Sequence, residues 1–166
     1  ITQQLARNAF LTTERSASRK IKEMILSFYL ERQYTKDEIF EMYLNQVPYG
    51  FNAYGIESAS QLYFSKSAKD LTLEEAAYLA SLLKAPTYLS PFGNNRERLD
   101  VRKDWVLQRM IKFGWAEEKQ VEILKANKSD FKTKRQTILA PHFVAFVQSQ
   151  LVDKYGEDFV QKGGLK

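Results

Sequence analysis

The sequence contains no cysteine, which excludes disulfides, thiolate metal sites and cysteine nucleophiles and suits an oxidising compartment. It also lacks any run of about 18 apolar residues and any recognisable signal peptide. We therefore expect any membrane anchor to lie outside these residues. The only histidine, His142, is interpreted as a residue of a helix surface.

The composition is ordinary for a soluble globular protein, with 44% apolar and 27% charged residues in a chain of 166. This length is sufficient for one domain with a real core, or one domain and a tail. Most of the net charge of +5 arises in the first 22 residues, where one carboxylate accompanies five cations: Arg7, Arg15, Arg19, Lys20 and Lys22. Such a local excess predicts an anionic ligand near this end and not a diffuse nucleic-acid footprint.

Residues 16–32 carry the pattern of an amphipathic helix. The apolar residues recur at the i, i+3, i+4, i+7 spacing and predict a stripe facing the core: Ile21, Met24, Ile25 and Phe28. The opposite side is then polar and carries Arg15, Arg19, Lys22 and Glu23. Glu23 stands four residues after Arg19 and three after Lys20, so it can pair with either. Such a pair on a solvated surface would be worth only ~0.3–0.5 kcal/mol.

The rest of the chain also predicts helices, and no convincing strand alternation is present. Two capping boxes begin helices, at Thr35 with Glu38 and at Thr72 with Glu75. In the second of these helices we expect five residues to face inward: Leu73, Ala76, Ala77, Ala80 and Leu83. Further helices are predicted over residues 55–64, 96–113 with Gly114 as the cap, 117–126, and from Pro141 onwards. The predicted fold class is all-α.

Six ordered sequence blocks carry a family resemblance. They read ITQQLARNAF (1–10), RKIKE (19–23), EMYLNQVPYG (41–50), YGIESASQLYF (54–64), LTLEEAAYLASLLKAP (71–86) and VRKDWVLQRM (101–110). Together they resemble the peptidoglycan glycosyltransferase domain of class A penicillin-binding proteins, glycosyltransferase family 51. The resemblance implies a helical, lysozyme-like domain that polymerises lipid II into β-1,4 glycan strands with inversion, releasing undecaprenyl pyrophosphate.

The resemblance also implies roles for individual residues. Pyrophosphate binding falls on four cations, Arg7, Arg15, Arg19 and Lys20, of which Arg7 replaces the lysine usual in the family. Glu23 matches the family's second essential carboxylate, expected to orient Arg19 and Lys20 first and to contact a divalent cation such as Mg²⁺ second. No organic cofactor is expected. Gln3, Gln4 and Asn45 are candidates for contact with sugar hydroxyls or phosphate, although each also fits a plain surface position.

The same resemblance sets expectations for the whole protein. Residues 1–126 are predicted to form the glycosyltransferase domain, and residues 127–166 a linker toward a transpeptidase domain, with a flexible connector over 127–137. The family's catalytic base is a Glu upstream of the ITQQL block, so we expect this chain to be a fragment that does not catalyse alone. Its expected location is the extracytoplasmic face of the bacterial cytoplasmic membrane, near the membrane surface, lipid II, the growing glycan and other cell-wall synthesis proteins.

Three other functions compete with this interpretation. The chain could be a non-catalytic module that binds a partner or a lipid. A lysozyme-like hydrolase is less favoured, because Glu23 among cations would stay ionised and act poorly as a general acid. Nucleic-acid binding is least favoured, because the aromatic residues follow the helical core pattern. Trp105 and Trp115 are accordingly predicted to serve in packing, and Arg102 to tie helices together.

Overall fold

The computed structural model of the protein describes residues 1–11, 16–126, 129–132 and 141–156, without the side chains of residues 141, 142, 144 and 145. Across these ranges the chain forms eight α-helices, one 3-10 helix (Ala68–Asp70) and one two-stranded sheet. The α-helices are α1 (Thr2–Phe10), α2 (Ala17–Gln33), α3 (Lys36–Gln46), α4 (Ile56–Phe64), α5 (Leu73–Leu82), α6 (Arg96–Lys112), α7 (Glu118–Ala126) and α8 (Pro141–Tyr155). The predicted all-α fold class is confirmed.

The predicted helix starts are confirmed by their caps. Thr35 and Glu38 form a complete capping box at α3, and Thr72 and Glu75 form another at α5. The Ser16 hydroxyl caps α2 by accepting a hydrogen bond from the backbone amide three residues later, at 3.1 Å. These side chains satisfy amides that have no partner inside the helix, so at α2, α3 and α5 the local sequence indicates where the helix begins.

The orientation of α2 is the reverse of the prediction. Its apolar stripe is exposed to solvent, with relative exposures of 59%, 56%, 64% and 71% for Ile21, Met24, Ile25 and Phe28. The buried face of α2 instead carries Glu23, Ser27 and Leu30. The spacing correctly placed the apolar residues on one stripe. It could not indicate which side of the helix packs against α1 and α3, because that depends on the faces that those helices offer.

The inward face of α5 also differs in part from the prediction. Ala77 is buried, but Ala76 and Ala80 are exposed. The fully enclosed face instead carries larger residues, among them Tyr78, Leu79 and Leu82. The helix packs against α6, while α1 packs against both α2 and α3. On α5 the core therefore receives large side chains and not the predicted Ala76 and Ala80.

A tight hairpin follows α3. Strand β1 (Pro48–Gly50) pairs antiparallel with β2 (Ala53–Tyr54). The two turn residues, Phe51 and Asn52, have φ values of 50° and 57°, the left-handed conformation that a two-residue type I′ hairpin requires at both positions. Strands of three and two residues are too short to show alternation, which is why sequence analysis found none.

Residues 129–132 are fixed to the core by the ring of Phe131. Its ring centroid lies 5.0–6.3 Å from the rings of Tyr63, Phe64, Tyr78 and Phe92. The Arg96 guanidinium lies 4.3 Å from the Phe131 ring centroid, and backbone hydrogen bonding joins Lys132 to Tyr63. These four residues were predicted to lie in a flexible connector. They are instead packed, because Phe131 fills an aromatic pocket that no local pattern reveals.

The chain divides into two compact units, Ile1–Lys134 and Arg135–Lys166. The first unit ends eight residues beyond Ala126, where the sequence analysis placed the domain boundary. In the described part of the second unit, helix α8 exposes Phe143 and Phe146, while Val147 and Leu151 are half-buried.

Candidate functional site

Four of the predicted site residues meet between α1 and α2. The Lys20 ammonium donates hydrogen bonds to Gln3 Oε1 at 2.8 Å and to Glu23 Oε2 at 3.2 Å. The Arg19 guanidinium lies on the other carboxylate oxygen, with Nε 3.2 Å from Glu23 Oε1. Glu23 therefore holds one cation on each oxygen, and Lys20 links the two helices through Gln3.

Glu23 is buried, with a residue exposure of 4%, whereas the Lys20 side chain is 56% exposed and that of Arg19 20%. A buried carboxylate is stable only when it is paired and hydrogen-bonded, and removing either partner leaves an uncompensated charge. The geometry is thus not that of the weak surface ion pair considered from the sequence. Glu23 fixes the positions of the two cations, while the side chains of Lys20 and, in part, Arg19 remain accessible to solvent.

The other predicted residues lie outside this cluster. Arg7 is exposed on α1 close to Tyr43: burial raises the pKa of Tyr43, and the positive charge of Arg7 partly offsets that rise. Gln4 and Asn45 are exposed, and their side chains form no hydrogen bond to another described residue. Arg15 lies outside the described residues. The roles assigned to these four residues therefore stay predictions.

The environment of Glu23 is a poor one for a resident metal ion. Each of its oxygens already faces a cation at 3.2 Å. In the described ranges no group of three or more His, Cys, Asp or Glu side chains is arranged to hold a metal. The arrangement is suited instead to binding an anion, because guanidinium and ammonium groups donate charge-assisted hydrogen bonds to phosphate oxygens.

Sequence analysis missed two features of this site. It did not foresee the contact of Gln3 with Lys20, because the two residues are 17 positions apart and meet only through the packing of α1 on α2. It also missed the burial of Glu23. A signal for that burial was present, since Glu23, Ser27 and Leu30 recur at the i, i+4, i+7 spacing and form a second, less apolar stripe.

A helical domain with two cations held on a buried carboxylate has a surface suited to an anion, and comparison with known proteins identifies the family of the domain. The sequence profile described as transglycosylase matches residues 1–111. The chain belongs to this family, glycosyltransferase family 51. The predicted resemblance is confirmed.

Named relatives are similar along the whole chain. It is 39% identical to penicillin-binding protein 1A of Pseudomonas aeruginosa over 165 residues, which cover 98% of the chain and 20% of that protein. It is 43% identical to penicillin-binding protein 1A of Aquifex aeolicus over 166 residues, covering 100% of the chain and 23% of that protein. The chain thus spans about a fifth of the length of these relatives.

A solved structure is similar as well. The 2.6 Å crystal structure of penicillin-binding protein 1A from Haemophilus influenzae matches with a TM-score of 0.61 and 28% sequence identity. The match covers 93% of this chain and 20% of that one.

Proposed function

We propose that the protein carrying this chain is a peptidoglycan glycosyltransferase that polymerises lipid II into β-1,4-linked glycan. The observation that supports this most is the placement of Gln3, Arg19 and Lys20 around the buried Glu23. Membership of the transglycosylase family supports the same activity. In our proposal the cluster binds the pyrophosphate of lipid II, a disaccharide-pentapeptide carried on undecaprenyl pyrophosphate.

The reaction needs two groups besides the substrates. The 4-hydroxyl oxygen of one sugar attacks the anomeric carbon of another and gives its proton to a base. The bond from that carbon to the pyrophosphate breaks, and the lipid pyrophosphate leaves with the bonding electrons. A single displacement of this kind inverts the anomeric carbon. We assign the leaving-group role to Arg19 and Lys20, and we assign the base to no residue of this chain.

Arg19 and Lys20 favour the transition state because negative charge grows on the pyrophosphate as the bond breaks. Donors fixed in place before the reaction stabilise such charge without having to reorganise. Glu23 is the group that fixes them, so its role is positioning rather than proton transfer. We propose Arg7 and Arg15 as further pyrophosphate ligands, and Gln4 and Asn45 as contacts to sugar or phosphate. A divalent cation such as Mg²⁺ would have to take most of its ligands from the pyrophosphate.

The exposed stripe of α2 supports our proposal that the domain works at a membrane surface. Ile21, Met24, Ile25 and Phe28 form an apolar face, with the exposed cations Lys20 and Lys22 on the same helix. A helix with apolar and basic residues of this kind inserts shallowly into an anionic leaflet. No described helix is long and apolar enough to span a bilayer. We propose the extracytoplasmic face of the bacterial cytoplasmic membrane, where lipid II would be reached from the headgroup side.

The names of the relatives suggest a larger assembly. As penicillin-binding proteins, those relatives bind penicillin. We propose that residues 127–166 lead toward a transpeptidase domain and that other cell-wall synthesis proteins act with this one. We further propose that the 166-residue chain alone binds lipid II without polymerising it.

Substitution of Glu23 tests the proposed function. In the natural polypeptide that carries this sequence, Glu23→Gln should abolish glycan synthesis from lipid II, with polymer measured on gels, while the protein still folds. Glu31→Gln is the matched control, because Glu31 is an exposed carboxylate on the same helix. Polymerisation at the wild-type rate by Glu23→Gln would show that the cluster has no part in the reaction.

A further inference from the structure

A second cationic surface lies away from α1 and α2, at the junction of α5 and α6. The loop after α5 and the outer face of α6 enclose a groove of about 330 Å³. Its lining consists of Lys84, Ala85, Tyr88, Leu89, Arg98, Val101, Arg102 and Trp105. We call it the α5–α6 groove. None of these residues belongs to the Glu23 cluster.

The charge of the groove has one sign. Lys84, Arg98 and Arg102 line it, and no acidic residue in the part of the chain that the structure describes does so. The nearby acid Asp100 is already engaged by Arg96 and by the Tyr78 hydroxyl, and Asp104 pairs with Lys103. The three groove cations are therefore not neutralised by these acids. An occupant that carries negative charge would complement these cations.

The floor and walls of the groove are apolar. Ala85, Leu89 and Val101 contribute aliphatic surface, while Tyr88 and Trp105 are each about half exposed. Trp105 was predicted to pack inside the protein. It lies instead at the surface, because α6 buries Leu99, Lys103 and Leu107, a stripe that excludes position 105. An occupant must therefore also offer apolar side chains.

Arginine side chains cover the aromatic rings. The Arg102 guanidinium lies 4.1 Å from the Trp105 ring centroid and that of Arg109 lies 5.5 Å from it, while Arg98 lies 5.5 Å from the Tyr88 ring. These contacts place guanidinium groups on the two rings that a sugar would stack on. They hold the guanidinium groups at the groove, where they can bind carboxylates.

Arg102 also has an unused donor. Its Nε is buried and finds no hydrogen-bond acceptor among the described residues. Such a group carries the cost of its lost hydration. Arg102 was expected to tie helices together. The aromatic ring that its guanidinium contacts belongs to Trp105, which lies on the same helix, so this contact does not join two helices.

We infer that the α5–α6 groove docks a segment of a partner protein that carries carboxylates interspersed with apolar side chains. The carboxylates meet Lys84, Arg98 and Arg102, and the apolar side chains fill the space over Leu89 and Val101. A concave site with guanidinium groups fixed on aromatic rings suits a peptide better than a flat lipid surface, which would need the cations on a convex face. The inference does not depend on the proposed glycosyltransferase activity.

Binding of synthetic peptides to the full 166-residue chain tests the inference. The probe is a fluorescein-labelled peptide of Glu and Leu residues, compared by anisotropy with the same peptide carrying Gln in place of Glu. The Glu peptide should bind on the order of tenfold more tightly than the Gln peptide. Lys84→Gln should weaken its binding several-fold, and Arg102→Lys should do the same, because lysine keeps the charge but lacks the planar donor set.

Lys119→Gln is the matched control, an exposed lysine on α7 outside the groove, and it should bind the Glu peptide as the wild type does. Thermal unfolding of each variant shows that it is folded. If Lys84→Gln and Lys119→Gln weaken binding of the Glu peptide equally, the peptide binds through the overall positive charge of the chain and not in the groove, and the inference is overturned. Absence of binding of the Glu peptide would overturn the inference. Binding of phosphatidylglycerol vesicles to the wild type but not to Lys84→Gln would also overturn it, because the groove would then bind lipid.

Discussion

Arg19 and Glu23 form an ion pair one turn apart on α2, with 3.2 Å between Nε and Oε1 and only 5% of the carboxylate side chain exposed. Because the acid is buried, removing one partner of this pair costs more than removing one partner of a solvated pair. Arg19→Gln should lower the free energy of unfolding by about 1–3 kcal/mol, since Glu23 would keep only Lys20 as a counter-charge. Urea unfolding of the 166-residue chain measures this. Arg32→Gln, an exposed arginine on the same helix, should change stability by less than about 0.5 kcal/mol.

The exposed apolar stripe of α2 predicts membrane binding. Phe28→Ser should weaken binding to vesicles that contain phosphatidylglycerol by roughly tenfold or more, because a buried phenylalanine side chain contributes ~1.5–3 kcal/mol. Its stability should be unchanged, since Phe28 is 71% exposed. Phe113→Ser is the matched control, an exposed phenylalanine just after α6. If both variants bind vesicles equally, α2 is not the membrane-facing element.

Gly55, between the hairpin and α4, allows the backbone to approach Asn45 closely. Gly55 has φ of 83°, and a Cβ at this position would lie 2.7 Å from the Asn45 carbonyl oxygen. Gly55→Ala should therefore destabilise the chain by the ~1–3 kcal/mol cost of combining a φ of 83° with a ψ of 152°, a region essentially restricted to glycine, plus the cost of moving backbone. Gly114→Ala is the comparison without a close contact, because Gly114 has a φ of 72° and nothing lies within 4 Å of the added carbon. Equal losses of stability in the two variants, measured by thermal unfolding, would contradict the expected cost of the contact with the Asn45 carbonyl oxygen.

Glu75 predicts a loss of stability in acid. Burial tends to raise the pKa of its carboxyl group, but hydrogen bonds from Lys66 and from the Thr72 amide outweigh burial and hold the pKa below the ordinary 4.5. A lowered pKa in the folded state stabilises the protein above the unfolded value and ceases to do so as the pH falls through the folded value. The wild type should accordingly lose more stability below pH 4.5 than Glu75→Gln does.

Glu75→Gln should itself cost ~1–2 kcal/mol at neutral pH, because it weakens the capping box of α5 and removes the charge facing Lys66. Glu122→Gln on α7, where the carboxylate is exposed, is the control and should leave the pH profile unchanged. Denaturant unfolding at a series of pH values gives the comparison. Parallel profiles for wild type and Glu75→Gln would contradict the assigned pKa shift.

Local chemistry made much of this fold predictable. Capping boxes fix the starts of α3 and α5, and the end of α6 at Gly114 follows from its left-handed φ, because each depends on residues within one turn. The side of a helix that faces the core depends on other helices, so the orientation of α2 was predicted wrongly. The clustering of Arg19, Lys20 and Glu23 was foreseeable from spacing, whereas Gln3 joined them only through the packing of α1.

Phe131 lies five residues beyond the end of α7, yet its ring completes an aromatic cluster whose other members come from α4, α5 and the loop before α6. A gene designed to stop at Ala126, where the helical pattern ends, would encode a domain that lacks Phe131. The product would lose the ring contacts of Phe131 with Tyr63, Phe64, Tyr78 and Phe92, and the apolar surface uncovered there favours self-association. A stop codon after Lys134 is the sounder choice for expressing this domain alone.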